Sequence, residues 1–175
     1  RESVAQEVSV RSYDSCDALL AHEEFQAAVI ASPTKYHFAL AESLIQAGKH
    51  LLVEKPLAMD IAAAERITVA FEKANLVGAV GHIERFNPAI RSMRERIANG
   101  ELGELFQIAT RRIGPFPNRI LDVGVVKDLA THDLDLTACV GGARFKQVSA
   151  HTAHKAGRIH EDLVAVTGQL ENGVV

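Results

Sequence analysis

Cysteine and long apolar runs are scarce in this sequence, and each shortage excludes a class of protein. The two cysteines, Cys16 and Cys139, are too few for a disulfide scaffold and form no C-x-x-C pair. We therefore expect buried, reduced thiols in a cytoplasmic protein. No apolar run approaches the roughly 20 residues that a membrane helix needs, and no signal peptide begins the chain. Membrane proteins and small secreted modules do not fit.

Positive charge is not in excess either. The 19 Lys and Arg residues stand against 22 Asp and Glu residues, which gives a formal net charge of −3. Binding to nucleic acid or to an anionic membrane depends on a basic surface, so we expect neither partner. The 175 residues, 47% of them hydrophobic, are enough for one ordinary domain or two small ones with a real core.

Several motifs of common active sites are also absent. The sequence contains no G-x-G-x-x-G, no Walker loop and no G-x-S-x-G. His151 and His154 form H-x-x-H on a predicted strand, where they face opposite sides and cannot chelate one ion. We therefore expect no metal site.

Both ends of the sequence resemble interrupted elements. Residues 1–7 have the pattern of the last turns of a helix, and Asn172-Gly173 predicts a hairpin turn with both residues at positive φ. The second strand of that hairpin would have two residues. We therefore expect the chain to be a segment of a longer protein.

The first half alternates short apolar runs with helical patterns, which predicts parallel β-α-β units. The continuous apolar run 27–31 is typical of a strand covered on both faces. The other predicted elements are a helix over 33–47 that stops at Gly48, a strand over 51–53, a helix from Asp60 to Asn75 with Ile67, Ala70, Phe71 and Ala74 inward, and a strand over 76–80.

The second half has a different pattern. Asn87-Pro88 predicts the start of a helix that ends at Asn99-Gly100. Residues 106–113 and 163–170 alternate like half-solvated antiparallel strands. The fold class is thus α/β: the C-terminal portion of a doubly wound parallel sheet over residues 1–85, followed by the N-terminal portion of an α/β domain with a mostly antiparallel sheet over residues 86–175.

One motif with chemical potential is Glu54-Lys55-Pro56, at the carboxyl end of a predicted parallel strand. Ligands bind outside the carboxyl ends of strands in open α/β sheets. The ammonium of Lys55 could stabilise a developing alkoxide there. The alternative is a solvated charge pair at the end of the strand.

A second motif pairs Asp128 with His132. On an α-helix these positions share one face, so the carboxylate can orient the imidazole and make His132 a plausible general base. The alternative is a pair on the helix surface. For Asp133 and Asp135 we expect surface or capping roles.

A third motif is residues 32–37, the loop that joins a strand to the next helix. Free N–H groups and the helix dipole favour an anion or a ribose hydroxyl at such a place. The alternative is simple capping of the helix by Ser32 or Thr34.

Taken in order, these motifs resemble one protein family. The sequence has SPTKYH at 32–37, AGKHLLVEKPL at 47–57, GHIERFNP at 81–88 and DLATHD at 128–133. This is similar to the glucose–fructose oxidoreductase / inositol dehydrogenase / MocA (Gfo/Idh/MocA) family. The resemblance implies an N-terminal Rossmann domain and a C-terminal α/β domain. It also implies a homo-oligomer, dimer or tetramer, that assembles through the C-terminal sheet.

The resemblance also implies roles for particular residues. NAD or NADP would be the cofactor, lined by Ser32, Pro33, Thr34, His37, Glu54 and Lys55. Lys55, Asp128 and His132 would form the catalytic triad that handles the proton of the substrate hydroxyl. The Lys55–Pro56 bond would be cis. The glycine-rich turn that holds the pyrophosphate is expected to precede residue 1.

A narrower resemblance concerns the substrate. Residues 80–88, 111–119 and 122–126 look like members of the family that oxidise the 3-hydroxyl of UDP-N-acetylglucosamine. Arg85, Arg112 and Arg119 are then candidate ligands of the substrate or its diphosphate, with structural ion pairs as the alternative.

Two other functions stay open. One is oxidation of a free polyol such as an inositol, which would not need an arginine-rich segment. The other is a non-catalytic dinucleotide-sensing regulator on the same fold. In either case the 175 residues alone are expected to be inactive.

Overall fold

The computed structural model describes residues 2–114 and 123–175, which fall into two compact units, 1–81 and 82–175. The first unit contains, in order, α1 (Glu2–Glu7), α2 (Cys16–His22), β1 (Ala27–Ile30), a 3₁₀ turn (Thr34–Tyr36), α3 (His37–Gln46), β2 (His50–Glu54), α4 (Ile61–Ala74) and β3 (Gly78–Gly81). The second contains a 3₁₀ turn (Ile83–Phe86), α5 (Pro88–Ala98), a π-helical turn (Val126–Ala130), α6 (Thr131–Gly141), β4 (Phe145–Ala153) and β5 (Leu163–Leu170).

The sheet of the first unit has the strand order β1-β2-β3, with all strands parallel. Ile30 pairs with Val53, and Val53 pairs with Val80, so the central strand is bonded on both sides. Parallel neighbours need a crossover connection, which α3 and α4 supply. The predicted parallel β-α-β arrangement is confirmed.

The core of this unit lies on one face of the sheet. Ile30, Leu51 and Val53 are buried with side chains of α3 and α4. On the opposite face, Val29 is 65% exposed and Leu52 is 40% exposed. Because successive strand residues point to opposite faces, the continuous apolar run is covered on one side only in the described chain. The prediction of cover on both faces is wrong here.

The helix ends of this unit follow local rules. The Asp60 carboxylate accepts a hydrogen bond from the N–H of Ala63 at 2.8 Å, and Asn75 ends α4 in the left-handed conformation. At the end of α3, the N–H of Lys49 donates to the Leu44 carbonyl at 3.0 Å. The predicted caps are confirmed. The prediction that Ala74 points inward is wrong, because this residue is exposed.

In the second unit, β4 and β5 form an antiparallel pair, and most of their residues are exposed. The predicted strand over 106–113 is not formed. Instead, Ile108 and Phe106 exchange two backbone hydrogen bonds with Val175, of 2.8 and 3.1 Å. With only these two bonds, residues 106–113 have too little pairing to form a regular strand.

The turn after β5 also differs from the prediction. The N–H of Leu170 donates to the Val174 carbonyl, and the N–H of Gly173 donates to the Leu170 carbonyl, so the loop has three residues. Gly173 has φ of 93°, while Asn172 does not have positive φ. This is the hairpin loop in which a glycine forms a bulge after an ordinary turn. The Asn172 side chain instead donates to the Gly141 carbonyl at 2.7 Å.

Both cysteines are free thiols, but they are half-buried rather than buried as predicted. Among the described residues, no helix is long and apolar enough to cross a membrane.

Gly78 lets β3 approach α4. A Cβ at this position would lie 2.7 Å from the Phe71 ring, which is itself buried. We expect Gly78→Ala to lower the free energy of unfolding by about 1–3 kcal/mol, since the rigid ring must move. In a Phe71→Leu background the cost of the same change should be smaller. Urea denaturation of the four proteins measures this, and an equal cost in both backgrounds would contradict the packing explanation.

Candidate functional site

The carboxyl end of the central strand carries the first candidate residues. Glu54 ends β2, Lys55 and Pro56 follow, and all three are half-buried. The Lys55–Pro56 peptide bond is cis, as predicted. Because β2 is bonded on both sides, its last residue has a fixed position, and Lys55 leaves the sheet from that point.

The neighbouring strand end carries the 32–37 loop. Ser32 is half-buried, Pro33 is exposed and Thr34 is buried. The chain turns through the 3₁₀ turn before α3 begins, and neither helical segment has a side-chain cap. The alternative of simple capping by Ser32 or Thr34 is therefore wrong.

His37, the first residue of α3, is 1% exposed. Its Nδ1 lies 2.9 Å from the Pro56 carbonyl oxygen, and its Nε2 lies 2.8 Å from the Ser32 carbonyl oxygen. Both ring nitrogens are therefore engaged by the backbone of the chain itself. Both polar atoms of the ring face the backbone, and the role of His37 in lining the cofactor stays a prediction.

Glu54 lies across the end of β3. A Cβ on Gly81 would be 2.8 Å from Oε2 of Glu54, so the absence of a side chain at Gly81 leaves room for the carboxylate. The acid is thereby held at the edge of the sheet where Lys55 leaves it. No sequence motif indicated this role for Gly81.

In the second unit, Asp128 and His132 lie on consecutive helical segments. Asp128 is in the π-helical turn and His132 is the second residue of α6, and both are half-buried. The N–H of Thr131 donates to the Val126 carbonyl, which is the wide spacing of a π-helix. The prediction of an ordinary α-helix across this pair is wrong. π-Helical turns inside helices are frequent at functional sites.

Glu161 holds the start of this helical segment. Its carboxylate accepts from the N–H of Val126 at 3.1 Å, and its carbonyl accepts from the N–H of Val125 at 2.9 Å. A Cβ on Gly124 would occupy the position of the Glu161 carboxylate. Sequence reasoning missed both residues, since Glu161 caps a helix that starts 35 residues earlier.

Two ion pairs join the 3₁₀ turn and residue 112 to α6. Arg85 binds Asp135 through two nitrogens, with Nε at 2.8 Å, and Nδ1 of His82 lies 3.5 Å from the same carboxylate. Arg112 binds Asp133 at 3.2 Å. The two aspartates are half-buried and bind arginines, and neither cap of α6 has a side-chain hydrogen bond, so the predicted capping role is not seen.

These contacts favour the structural alternative for Arg85 and Arg112. Glu84 adds a longer contact to Arg112, at 3.6 Å. Arg119, the third candidate, lies outside the described residues.

The charges of the Arg85–Asp135 pair stabilise each other. Burial alone would raise the pKa of Asp135, but hydrogen bonding to Arg85 and the electrostatic influence of His82, Arg85 and His132 outweigh it, so the pKa is lowered. The hydrogen bond to Asp135 raises the pKa of Arg85. In the same way, the hydrogen bond to Asp133 raises the pKa of Arg112.

Within the described ranges, no group of His, Cys, Asp and Glu side chains is arranged to hold a metal ion.

The lowered pKa of Asp135 has a consequence for stability. The folded state favours the carboxylate, so the pair stabilises the protein above the ordinary pKa of 3.8 and loses this contribution as pH falls below it. We expect Asp135→Asn to cost about 1–2 kcal/mol at neutral pH and progressively less below pH ~4. Urea denaturation over this pH range, with the exposed Glu104→Gln as control, measures the difference; a cost that does not change with pH would contradict the ion pair.

The Gly124–Glu161 contact can be tested in the same way. Gly124→Ala should displace the Glu161 carboxylate and remove its hydrogen bond to Val126, at a cost of about 1–2 kcal/mol. Glu161→Ala should cost a similar amount, and the double variant little more than either alone. Additive costs from thermal unfolding would show that the two residues act separately.

Two family models match the chain. Residues 1–82 match the model described as "Oxidoreductase family, NAD-binding Rossmann fold", and residues 90–175 match the "GFO/IDH/MocA C-terminal domain".

The relatives include dehydrogenases of different substrates. UDP-N-acetylglucosamine 3-dehydrogenase of Acidithiobacillus ferrooxidans is 39% identical over 98% of this chain and 53% of its own length. Its solved structure has a TM-score of 0.85 and covers 99% of this chain and 55% of that one. Myo-inositol dehydrogenase Hyg17 of Streptomyces leeuwenhoekii is 31% identical over 87% of this chain and 48% of its own length.

A further solved structure contains ligands. The WlbA dehydrogenase of Bordetella pertussis, in complex with NADH and UDP-GlcNAcA, is 25% identical with a TM-score of 0.85, over 99% of this chain and 53% of that one. The chain spans about half the length of the relatives that it matches.

Proposed function

This chain belongs to the Gfo/Idh/MocA family of oxidoreductases, and on that premise we propose that the whole protein is an NAD-dependent dehydrogenase of a sugar secondary alcohol. The observation that carries the proposal is Lys55 at the carboxyl end of the central parallel strand. Ligands of open α/β sheets bind outside that edge. We assign residues 1–85 to the cofactor-binding domain and 86–175 to the domain that binds substrate and forms the homo-oligomer.

In the proposed chemistry, Lys55 donates a hydrogen bond to the oxygen of the substrate and stabilises the charge that develops on it. His132 accepts the hydroxyl proton, and Asp128 orients the imidazole. The carbon of the alcohol loses a hydride and becomes a carbonyl carbon. When bound, the nicotinamide supplies the hydride acceptor.

The residues at the edge of the sheet suit the ribose beside a nicotinamide. The Glu54 carboxylate lies over Gly81, where it can accept hydrogen bonds from ribose hydroxyls. Ser32, Pro33 and Thr34 form the turn at the neighbouring strand end and contribute the lining of this place.

For the substrate we propose a nucleotide sugar of the UDP-N-acetylglucosamine type, oxidised at the 3-hydroxyl. The 39% identity to a dehydrogenase of that substrate supports this choice. Because Arg85 and Arg112 are bound to aspartates, Arg119 remains our candidate for the diphosphate. The 31% identity to a myo-inositol dehydrogenase makes a free polyol the second candidate.

The test is made on the full-length protein, by following the absorbance of reduced nicotinamide after NAD⁺ and UDP-N-acetylglucosamine are added. Lys55→Met should abolish turnover and leave NAD binding and the fold intact. Lys49→Met is the matched control, because Lys49 directly precedes the opposite end of the same strand and donates to the Phe25 carbonyl at 2.7 Å. We expect this control to retain turnover.

Each outcome separates the candidates. Turnover of myo-inositol alone would replace the nucleotide sugar by a polyol. Wild-type rates in Lys55→Met would remove the lysine from the mechanism. NAD binding without turnover of either substrate would favour a sensing regulator.

A further inference from the structure

His37 is one of the largest fully buried side chains of the described residues, and it is the polar one among them. The others are Ile67, Leu170 and Val53. Burying a polar ring costs free energy unless its nitrogens find hydrogen-bonding partners. Here both nitrogens have one, the carbonyl oxygens of Ser32 and Pro56.

These two carbonyls belong to different strand ends. The paired register of β1 and β2 extends to Ile30 and Val53, so Ser32 and Pro56 lie beyond the ladder of backbone hydrogen bonds. Their carbonyl groups are therefore not held by the sheet. The imidazole replaces the missing ladder with one contact of 2.8 Å and one of 2.9 Å.

The ring is well suited to this bridge. A carbonyl oxygen accepts and never donates, so the ring donates to both carbonyls at once only when both of its nitrogens carry a proton. The two nitrogens are separated by a rigid ring, so a shift of one loop is passed on to the other. A flexible side chain with a single polar end could hold only one of the two carbonyls firmly.

We propose that His37 is a positioning residue that ties the turn at Ser32 to the segment carrying Lys55. In this role the ring acts through the backbone, because it is 1% exposed and both nitrogens lie against backbone carbonyls. It fixes the backbone on the carboxyl side of Lys55, and with it the direction in which the ammonium points. This inference rests on the proposed dehydrogenase function for its kinetic effect only.

The kinetic test compares His37→Ala and His37→Gln with Leu44→Ala in the full-length protein. Leu44 is buried in the same helix and belongs to the hydrophobic core, so its truncation is a control for lost packing. At temperatures where every variant is folded, we expect kcat to fall about 10- to 100-fold in His37→Ala. His37→Gln, which keeps a donor, should lose less, and Leu44→Ala should stay within about twofold of wild type.

A second test needs no turnover. Lysines methylated with a ¹³C label give separate NMR signals, and the Lys55 signal is the one that disappears in Lys55→Met. We expect this signal to shift in His37→Gln and to stay in place in Leu44→Ala. An unchanged Lys55 signal in both His37 variants would overturn the proposal, as would equal kcat losses in His37→Ala and Leu44→Ala.

The two tests separate the two hypotheses. If the Lys55 signal shifts in the His37 variants but the protein oxidises no alcohol, the positioning role of His37 is supported and the proposed dehydrogenase function is rejected. If turnover depends on Lys55 but not on His37, the dehydrogenase function is supported and the positioning role of His37 is rejected.

Discussion

The position of the first candidate site depends on the hydrogen bonding of the central strand β2 on both of its sides. Leu51 and Val53 of this strand are buried in the core, so the strand cannot move as a unit without breaking both ladders and the packing. Glu54 and Lys55 follow directly from it. The backbone that carries Lys55 is therefore held firmly on its strand side. Beyond the end of the sheet, His37 holds it through the carbonyl of Pro56.

The second unit fixes its candidate residues by charge and capping rather than by a sheet. Asp133 and Asp135 attach α6 to two arginines, and Glu161 holds the N–H groups at the start of the preceding helical turn. Asp128 and His132 lie between these two attachments in the sequence. Such contacts act over short distances, so they set the orientation of this helical segment without a large apolar core around it.

Much of the fold follows from local patterns. Alternating apolar runs and helical stripes predicted the three parallel strands, because the segments between the apolar runs have the length and pattern of crossover helices. Asp60 and Asn87-Pro88 predicted helix starts, since capping involves residues only a few positions apart. The strand over 106–113 was wrongly predicted because alternation alone does not supply a neighbouring strand with which to pair.

The sequence by itself determined the β-α-β order, the helix caps and the place of Lys55 at a strand end, because these depend on neighbours within a few residues. Tertiary structure alone decided that His37 is a buried bridge, that Asp135 binds Arg85 and that Gly124 makes room for Glu161. Ser32 is only five residues from His37, but the other partners are distant along the chain: 19 residues for His37 and Pro56, and 50 residues for Arg85 and Asp135. A residue type and its local pattern do not identify a partner that is remote in the sequence, because the two residues meet only when the chain packs.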